Sequence, residues 1–227
     1  MIIEKEKIKE KIGIYAAVNF IENDMIVGVG SGTTVRYFIE ALATRIKEGL
    51  KVTCVATSLD TSLRLKQKKI PMIPLNYVDE IDIAVDGADS VLTKTRVLIK
   101  GGGGAHFLEK IVDYTAKKLI IIVDETKLNR VFPVPVDVYP PALNVVMKKI
   151  REMGGIPKLR EVSGKLLPCI SDAGNVIVDI DFPMERINKK LEKELNAIPG
   201  VIENGIFSRS CKIIIGRLTG EIEEMSL

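Results

Sequence analysis

Residues 99–110 read IKGGGGAHFLEK: Lys100, four consecutive glycines, the only histidine of the chain, His106, and Glu109. Glycine loses more backbone freedom on folding than any other residue. A run of four therefore marks a place that needs a bare backbone, for an unusual turn or for the close approach of a ligand. A lysine before it and a carboxylate after it would supply a partner for developing negative charge and a proton acceptor. In DGAD, Asp86 and Asp89 flank Gly87 and Ala88. Paired carboxylates suit acid–base work or the binding of sugar hydroxyls, although an aspartate capping a turn reads the same way. GVGSGTT (28–34) places Ser31, Gly32, Thr33 and Thr34 where a strand turns into a helix. Helix N-termini hold phosphate through free N–H groups and a favourable dipole; a plain tight turn has the same composition. Lys127 closes a fourth polar cluster, DETK (124–127). A nucleotide P-loop needs a lysine after its glycines, and none stands here. A dinucleotide fold wants an acidic residue at the end of its second strand, which here ends in Ala56-Thr57-Ser58. A small phosphorylated metabolite remains.

The elements that position these residues follow from periodicity. MIVGVG (25–30), KVTCVAT (51–57), EIDIAVD (80–86) and KLIIIVD (118–124) are short β-branched runs that read as buried parallel strands. In TTVRYFIEALATRI, Val35, Phe38, Ile39, Leu42 and Ile46 form a helical stripe. The alternation predicts an α/β class with a Rossmann-like, open, mostly parallel sheet. Each polar cluster lies just past an apolar run, with VLIK leading into the glycines, so parallel strands would turn all five clusters toward one crevice. After the glycines a helix is predicted, with Phe107, Leu108, Ile111, Val112, Thr115 and Leu119 as its buried stripe. Glu109 falls at the stripe's edge. His106 falls off it and is expected to be exposed or to sit behind the reacting groups.

VFPVPVDVYPP (131–141) carries four prolines and reads as a domain boundary with room for a short strand. Beyond it the order becomes β-α-β-β-α-β, that of a ferredoxin-like fold. REVSGKLLPCI and NVIVDIDF read as strands across the turn SDAGN, and VIENGIF as a last strand. MERINKKLEKELNAI reads as a helix with Ile187, Leu191, Leu195 and Ile198 inward. KIIIGR (212–217) is an extra strand expected to return to the first sheet. The predicted organisation is thus an α/β catalytic domain, 1–131 plus 207–227, and a smaller α+β ferredoxin-like domain, 132–206.

The chain has 227 residues, of which 46% are hydrophobic, so a sizeable core is available. Its net charge of +3 arises from interspersed lysines, arginines and acids with no basic aromatic-laced stripe, which argues against nucleic-acid binding. No apolar run reaches the length of a membrane span. The charged start, MIIEKEKIKEK, lacks a signal-peptide core, and a cytoplasmic location is expected. Cys54, Cys169 and Cys211 fit no zinc or redox spacing and read as reduced thiols. Richness in Ile, Lys and Glu with a single Gln hints at heat adaptation.

GVGSGTT, VDGAD, IKGGGGA…EK and DETK, in this order and spacing, resemble the type A ribose-5-phosphate isomerases, and the likeness extends to NAIPGVIENGIF near the end of the chain. The resemblance implies interconversion of D-ribose 5-phosphate and D-ribulose 5-phosphate through an enediolate, in the non-oxidative branch of the pentose phosphate pathway, with no metal or other cofactor. It implies a homodimer or homotetramer whose partner is a small sugar phosphate, with neither nucleic acid nor membrane. It makes Glu109, Asp86, Asp89 and Lys100 catalytic residues. It makes Ser31, Gly32, Thr33, Thr34, Gly87, Ala88, Gly101, Gly102, Gly103 and Lys127 substrate-binding residues, with Lys11 loosely matching a lysine near the family's start. Ser90 departs from the family's usual glutamate, and His106-Phe107 from smaller or aliphatic residues. Two other classes use related folds: non-catalytic sugar-phosphate sensors, which have no need of Glu109 near a carbon acid, and acyl- or CoA-transferases, which form a covalent adduct at a glutamate.

Overall fold

The structure, a computed structural model, describes residues 2–162, 164 and 167–227. The chain divides into two compact units. The first comprises Met1–Ala88, Glu109–Lys127 and Ser210–Leu227, and the second Asp89–Leu108 and Leu128–Arg209. Sequence patterning places residues 89–108 with the α/β domain, whereas in the structure they group with the second unit.

In chain order, the first unit opens with α1 (Ile2–Phe20), β1 (Ile26–Val29), α2 (Thr33–Lys47), β2 (Thr53–Ala56), α3 (Leu59–Gln67) and β3 (Ile81–Asp86). The chain then enters the second unit with β4 (Ser90–Leu92) and β5 (Val97–Ile99). It returns through α4 (His106–Thr115), which runs directly into β6 (Ala116–Asp124). The second unit continues with β7 (Val134–Val138), α5 (Leu143–Glu152), β8 (Ile156–Leu159), β9 (Val176–Asp181), α6 (Lys189–Asn196), β10 (Val201–Asn204) and β11 (Ile206–Phe207). Strands β12 (Lys212–Gly216) and β13 (Ile222–Ser226) complete the first.

The six-stranded sheet of the first unit has the order β13-β12-β6-β3-β1-β2. It is parallel except for β13, which pairs antiparallel with β12 at the edge. The central stretches of its inner strands are apolar, with charged residues confined to the strand ends and the half-buried Asp82, as suits a parallel sheet buried on both faces. Val35, Phe38, Ile39 and Leu42 of α2 are buried against Val27, Val29, Ile83 and Val85, as the stripe predicts. Helix α1 crosses α2 closely: a Cβ at Gly13 would lie 2.7 Å from the Phe38 nitrogen. KIIIGR does return to this sheet, with Ile213 beside Ile121 and Ile215 beside Val123.

The second unit holds a four-stranded antiparallel sheet of order β10-β7-β9-β8, with Val146 and Ile150 of α5 and Leu191 and Leu195 of α6 in its core. The element order β7-α5-β8-β9-α6-β10 is the ferredoxin-like one. A second, three-stranded antiparallel sheet, β11-β5-β4, belongs to the same unit.

Four details differ from the sequence expectation. The run before the glycines, β5, is antiparallel in the small sheet, so only four of the five polar clusters follow parallel strands. The partner of β9 is Ile156–Leu159, earlier than REVSGKLLPCI. Pro157 disguises this strand, and a proline is tolerated there because β8 lies at the sheet edge. Of REVSGKLLPCI, Ser163, Lys165 and Leu166 lie outside the described residues, and the remainder makes isolated bridges, Glu161 with Pro168 and Ile170 with Val176. VIENGIF divides at Gly205 into β10 and β11, which join different sheets; a Cβ at Gly205 would lie 2.2 Å from the Lys100 carbonyl oxygen.

Candidate active site

In the first unit, the turn from β1 into α2 carries Ser31, Gly32, Thr33 and Thr34. Gly32 is the N-cap of α2, and no side chain caps the helix. Its first N–H groups therefore remain open to an anion. Behind this turn lies Asp86, fully buried at the end of β3, whose Oδ1 accepts the Ser31 N–H at 3.0 Å and the Gly87 N–H at 2.6 Å. Gly30 permits this packing, since a Cβ there would fall 1.9 Å from Asp86 Oδ1. The structure thus brings Ser31 and Asp86 together from separate strand ends.

It also adds residues that the motif reading left out. Ser31 Oγ hydrogen-bonds with Ser58 Oγ (2.7 Å), Thr57 Oγ1 (3.1 Å) and Thr61 Oγ1 (3.3 Å), and Thr61 Oγ1 donates to the Gly30 carbonyl (2.6 Å). Thr57-Ser58 at the end of the second strand was the available signal for this hydroxyl cluster. Gly87 and Ala88 are half-buried beside Asp86. Lys127 is half-buried at the end of the short 3-10 turn Glu125–Lys127 that follows β6. Lys11 lies exposed on α1 and donates to the Gly220 carbonyl.

Glu109 is buried, only 6% exposed. The buried face of α4 only partly matches the apolar stripe: Val112 is buried as expected, but His106, Glu109, Lys110 and Asp113 are buried with it, and Ile111 is exposed. Helix period alone selected the apolar side. The helix also buries polar residues at i, i+3, i+4 and i+7.

The second unit carries Asp89, Lys100 and the glycine run. Lys100 is 2% exposed, its N–H donates to the Gly205 carbonyl at 2.9 Å, and its ammonium lies 5.3 Å from the Phe207 ring centroid. Gly101 has φ +105°, and a Cβ there would meet His106 Nδ1 at 2.7 Å. The turn closes through Gly104 N–H to the Gly101 carbonyl, at 3.0 Å. Asp89 Oδ2 accepts the Gly102 N–H at 2.7 Å, so the second DGAD carboxylate and the glycine run do meet. Next to Gly103 there is open space.

His106 is fully buried, which excludes the exposed alternative. Its Nε2 lies 3.6 Å from Asp137 Oδ1, and Ser171 Oγ donates to Asp137 Oδ2 at 2.9 Å. Burial raises the Asp137 carboxyl from its ordinary 3.8 to about 6. Ser90, buried in β4, donates its hydroxyl to the Arg130 carbonyl at 2.7 Å and so has a structural partner. No group of three or more His, Cys, Asp or Glu side chains able to hold a metal occurs among the described residues, and no described helix is long and apolar enough to cross a membrane.

A mostly parallel sheet bearing hydroxyls, aspartates and an open helix N-terminus at its strand ends, with a separate antiparallel unit, defines the class of Rossmann-like α/β enzymes with an auxiliary ferredoxin-like domain. Comparison with known proteins narrows the class. The sequence profile of ribose 5-phosphate isomerase A (phosphoriboisomerase A) matches residues 53–220, and the chain belongs to that family. It is 46% identical over 206 residues to ribose-5-phosphate isomerase A of Methanococcus aeolicus, covering 88% of each chain. It is 42% identical over 223 residues to that of Methanocaldococcus jannaschii, covering 96% of this chain and 97% of the relative. The solved structure of the Methanocaldococcus jannaschii protein superimposes with a TM-score of 0.93 at 40% identity, over 98% of this chain and 100% of that one. A D-ribose-5-phosphate isomerase in complex with phospho-erythronic acid superimposes with a TM-score of 0.90 at 38% identity, over 98% and 99%.

Proposed function

We propose that the protein interconverts D-ribose 5-phosphate and D-ribulose 5-phosphate, as its relatives are named for doing, in the non-oxidative pentose phosphate pathway. The observation that carries the reading is the burial of two ionisable side chains of opposite charge, Lys100 and Glu109, at the two ends of one glycine turn. Ionisable groups held out of water beside a bare backbone are what a site for proton transfer and charge stabilisation needs. A binding-only sensor would leave Glu109 without a task.

The reaction moves a proton between C2 and C1 of the opened sugar and exchanges carbonyl for hydroxyl. In our reading Glu109 removes the C2 proton and returns it to C1. The electron pair left on carbon passes into the enediolate, whose negative oxygen is stabilised by Lys100 and by N–H groups of the Gly101–Gly103 backbone. Asp86 and Asp89 assist ring opening and carry the proton between O1 and O2, with Gly87 and Ala88 shaping their loop. Ser31, Gly32, Thr33, Thr34 and Lys127 anchor the phosphate, and a substrate fixed at its far end presents its reacting carbons in a fixed place. Phospho-erythronic acid, bound by a relative, is a sugar-acid phosphate whose carboxylate carries charge as the enediolate does, which supports a site built for that intermediate.

Incubation with ribose 5-phosphate and detection of ketose tests the reading; absence of turnover by the folded protein would refute it. Activity is expected to survive EDTA, because Lys100 supplies the cationic charge. Restoration of activity by added metal after dialysis would count against that assignment.

We further propose a homodimer or homotetramer in the cytoplasm. Val145, Ile156 and Leu167, each more than 60% exposed on the second unit, support an apolar interface, and the free thiols Cys54, Cys169 and Cys211 suit a reducing compartment. Light scattering at several concentrations would give the oligomeric state.

A further inference from the structure

Arg160 follows the last residue of β8, and its backbone extends that ladder: its N–H donates to the Ile177 carbonyl at 2.8 Å, and its carbonyl accepts from Cys169 at 2.7 Å. Its side chain is largely buried and forms a two-pronged pair with Asp179, with Nε 2.8 Å from Oδ2 and Nη2 2.5 Å from Oδ1. Such a fork fixes the guanidinium plane. Burial works against its charge, and the Asp179 carboxylate outweighs that effect and keeps its pKa raised. The remaining prong, Nη1, donates to the Gly101 carbonyl at 2.8 Å and to the Gly102 carbonyl at 3.2 Å.

A trans peptide sends its C=O and N–H in opposite directions, and there is no cis bond among the described residues. The Gly101–Gly102 peptide obeys this: its carbonyl is on Arg160 and its N–H is on Asp89. The next peptide has its carbonyl on Arg160 as well, so the Gly103 N–H must point away from Arg160, toward the Asp89 side of the turn. That N–H has no hydrogen-bond partner among the described residues, Gly103 is exposed, and a Cβ there would meet nothing within 4 Å. Two other N–H groups of the run are already used: Gly102 on Asp89 and Gly104 on the Gly101 carbonyl.

We propose that Arg160, braced by Asp179, is a positioning residue: by holding the Gly101 and Gly102 carbonyls it aims the Gly103 N–H at the oxygen that becomes negative in the enediolate. The inference rests on the isomerase reading, which the wild-type assay tests by itself; the proposal is tested through variants of a protein already known to turn over.

Arg160→Lys keeps the charge and loses the fork. A donor that acts only on the developing charge contributes to kcat and not to ground-state binding. Direct loss of an oxyanion donor costs about 10²–10³ in kcat, and mis-aiming one should cost about 10- to 100-fold, with KM for ribose 5-phosphate little changed. The inhibition constant of phospho-erythronic acid should rise by a similar factor. In Arg160→Ala, added guanidinium ion should restore part of kcat. Asp179→Asn, which leaves the guanidinium in place but loosens it, should show the same pattern more weakly and carries the test if the arginine variants do not fold. Wild-type kcat and inhibition constant in the folded variants would overturn the proposal. So would a rise in KM with kcat preserved, which would give the donor to ground-state binding.

Discussion

At the scale of single residues, the proposed mechanism gives the base and its charge partner to Glu109 and Lys100, side chains that are buried although ionisable. Glu109→Gln keeps shape and hydrogen-bonding capacity and removes the base. A positioned base is worth about 10²–10⁴-fold, so kcat should fall by that order with KM near the wild-type value; full turnover would remove Glu109 from the role. Gly101→Ala is expected to lose both stability and activity. It places a side chain at φ +105° and against His106, and the left-handed conformation alone costs about 1–2 kcal/mol; thermal denaturation and kcat read the two effects separately. Cys54 is inert by the same logic in reverse: burial pushes its thiol up to about 12, so alkylation should require unfolding. The motif residues were legible from type and spacing. The hold of Arg160 on the Gly101 and Gly102 carbonyls, that of Thr61 on Gly30 and the His106–Asp137 contact were not, because each joins segments far apart in sequence.

At the scale of elements, the strand-to-helix turns do the positioning. β1 leads into the Ser31–Thr34 turn, β3 delivers Asp86 beneath it, and the N-terminus of α2, which no side chain caps, follows directly. Helix α4 shows the limit of periodicity: Val112 of the predicted stripe is buried, but Ile111 is exposed, Leu119 belongs to β6, and His106, Glu109, Lys110 and Asp113 share the buried side. The loop after β5 is tied to the second unit's sheet through Arg160, at the end of β8, and is backed by His106, whose neighbour Asp137 lies in β7. Asp137 makes this tie pH-dependent. Its folded pKa is raised, so its contribution to stability is present below about 4 and is lost as pH rises through about 6. Asp137→Asn removes that loss. The melting temperature of the variant relative to wild type should therefore increase between pH 4 and pH 7, and a difference independent of pH would refute the assignment.

At the scale of the whole molecule, the last strands are structural members of the first unit. Strand β12 lies inside its sheet, and Ile213, Ile214 and Ile215 are fully buried. Burial of such a side chain is worth about 1.5–3 kcal/mol, so the three together contribute about 5–9 kcal/mol, a large part of a typical stability of about 5–15 kcal/mol. A chain ending at Arg209 should not fold cooperatively, as circular dichroism melting would show; a sharp transition near the wild-type temperature would contradict this. The sequence alone determined the fold class, the two-domain plan, the return of KIIIGR to the first sheet and the set of motif residues. These follow from local rules: hydrophobic period, turn chemistry and motif spacing all act over a few residues. Only the tertiary structure decided that 89–108 sides with the second unit, that β5 is antiparallel, that the polar face of α4 turns inward and that Arg160 holds the glycine carbonyls. Those outcomes depend on which distant segments compete to satisfy buried backbone and charged groups, a global balance that no short window of sequence contains.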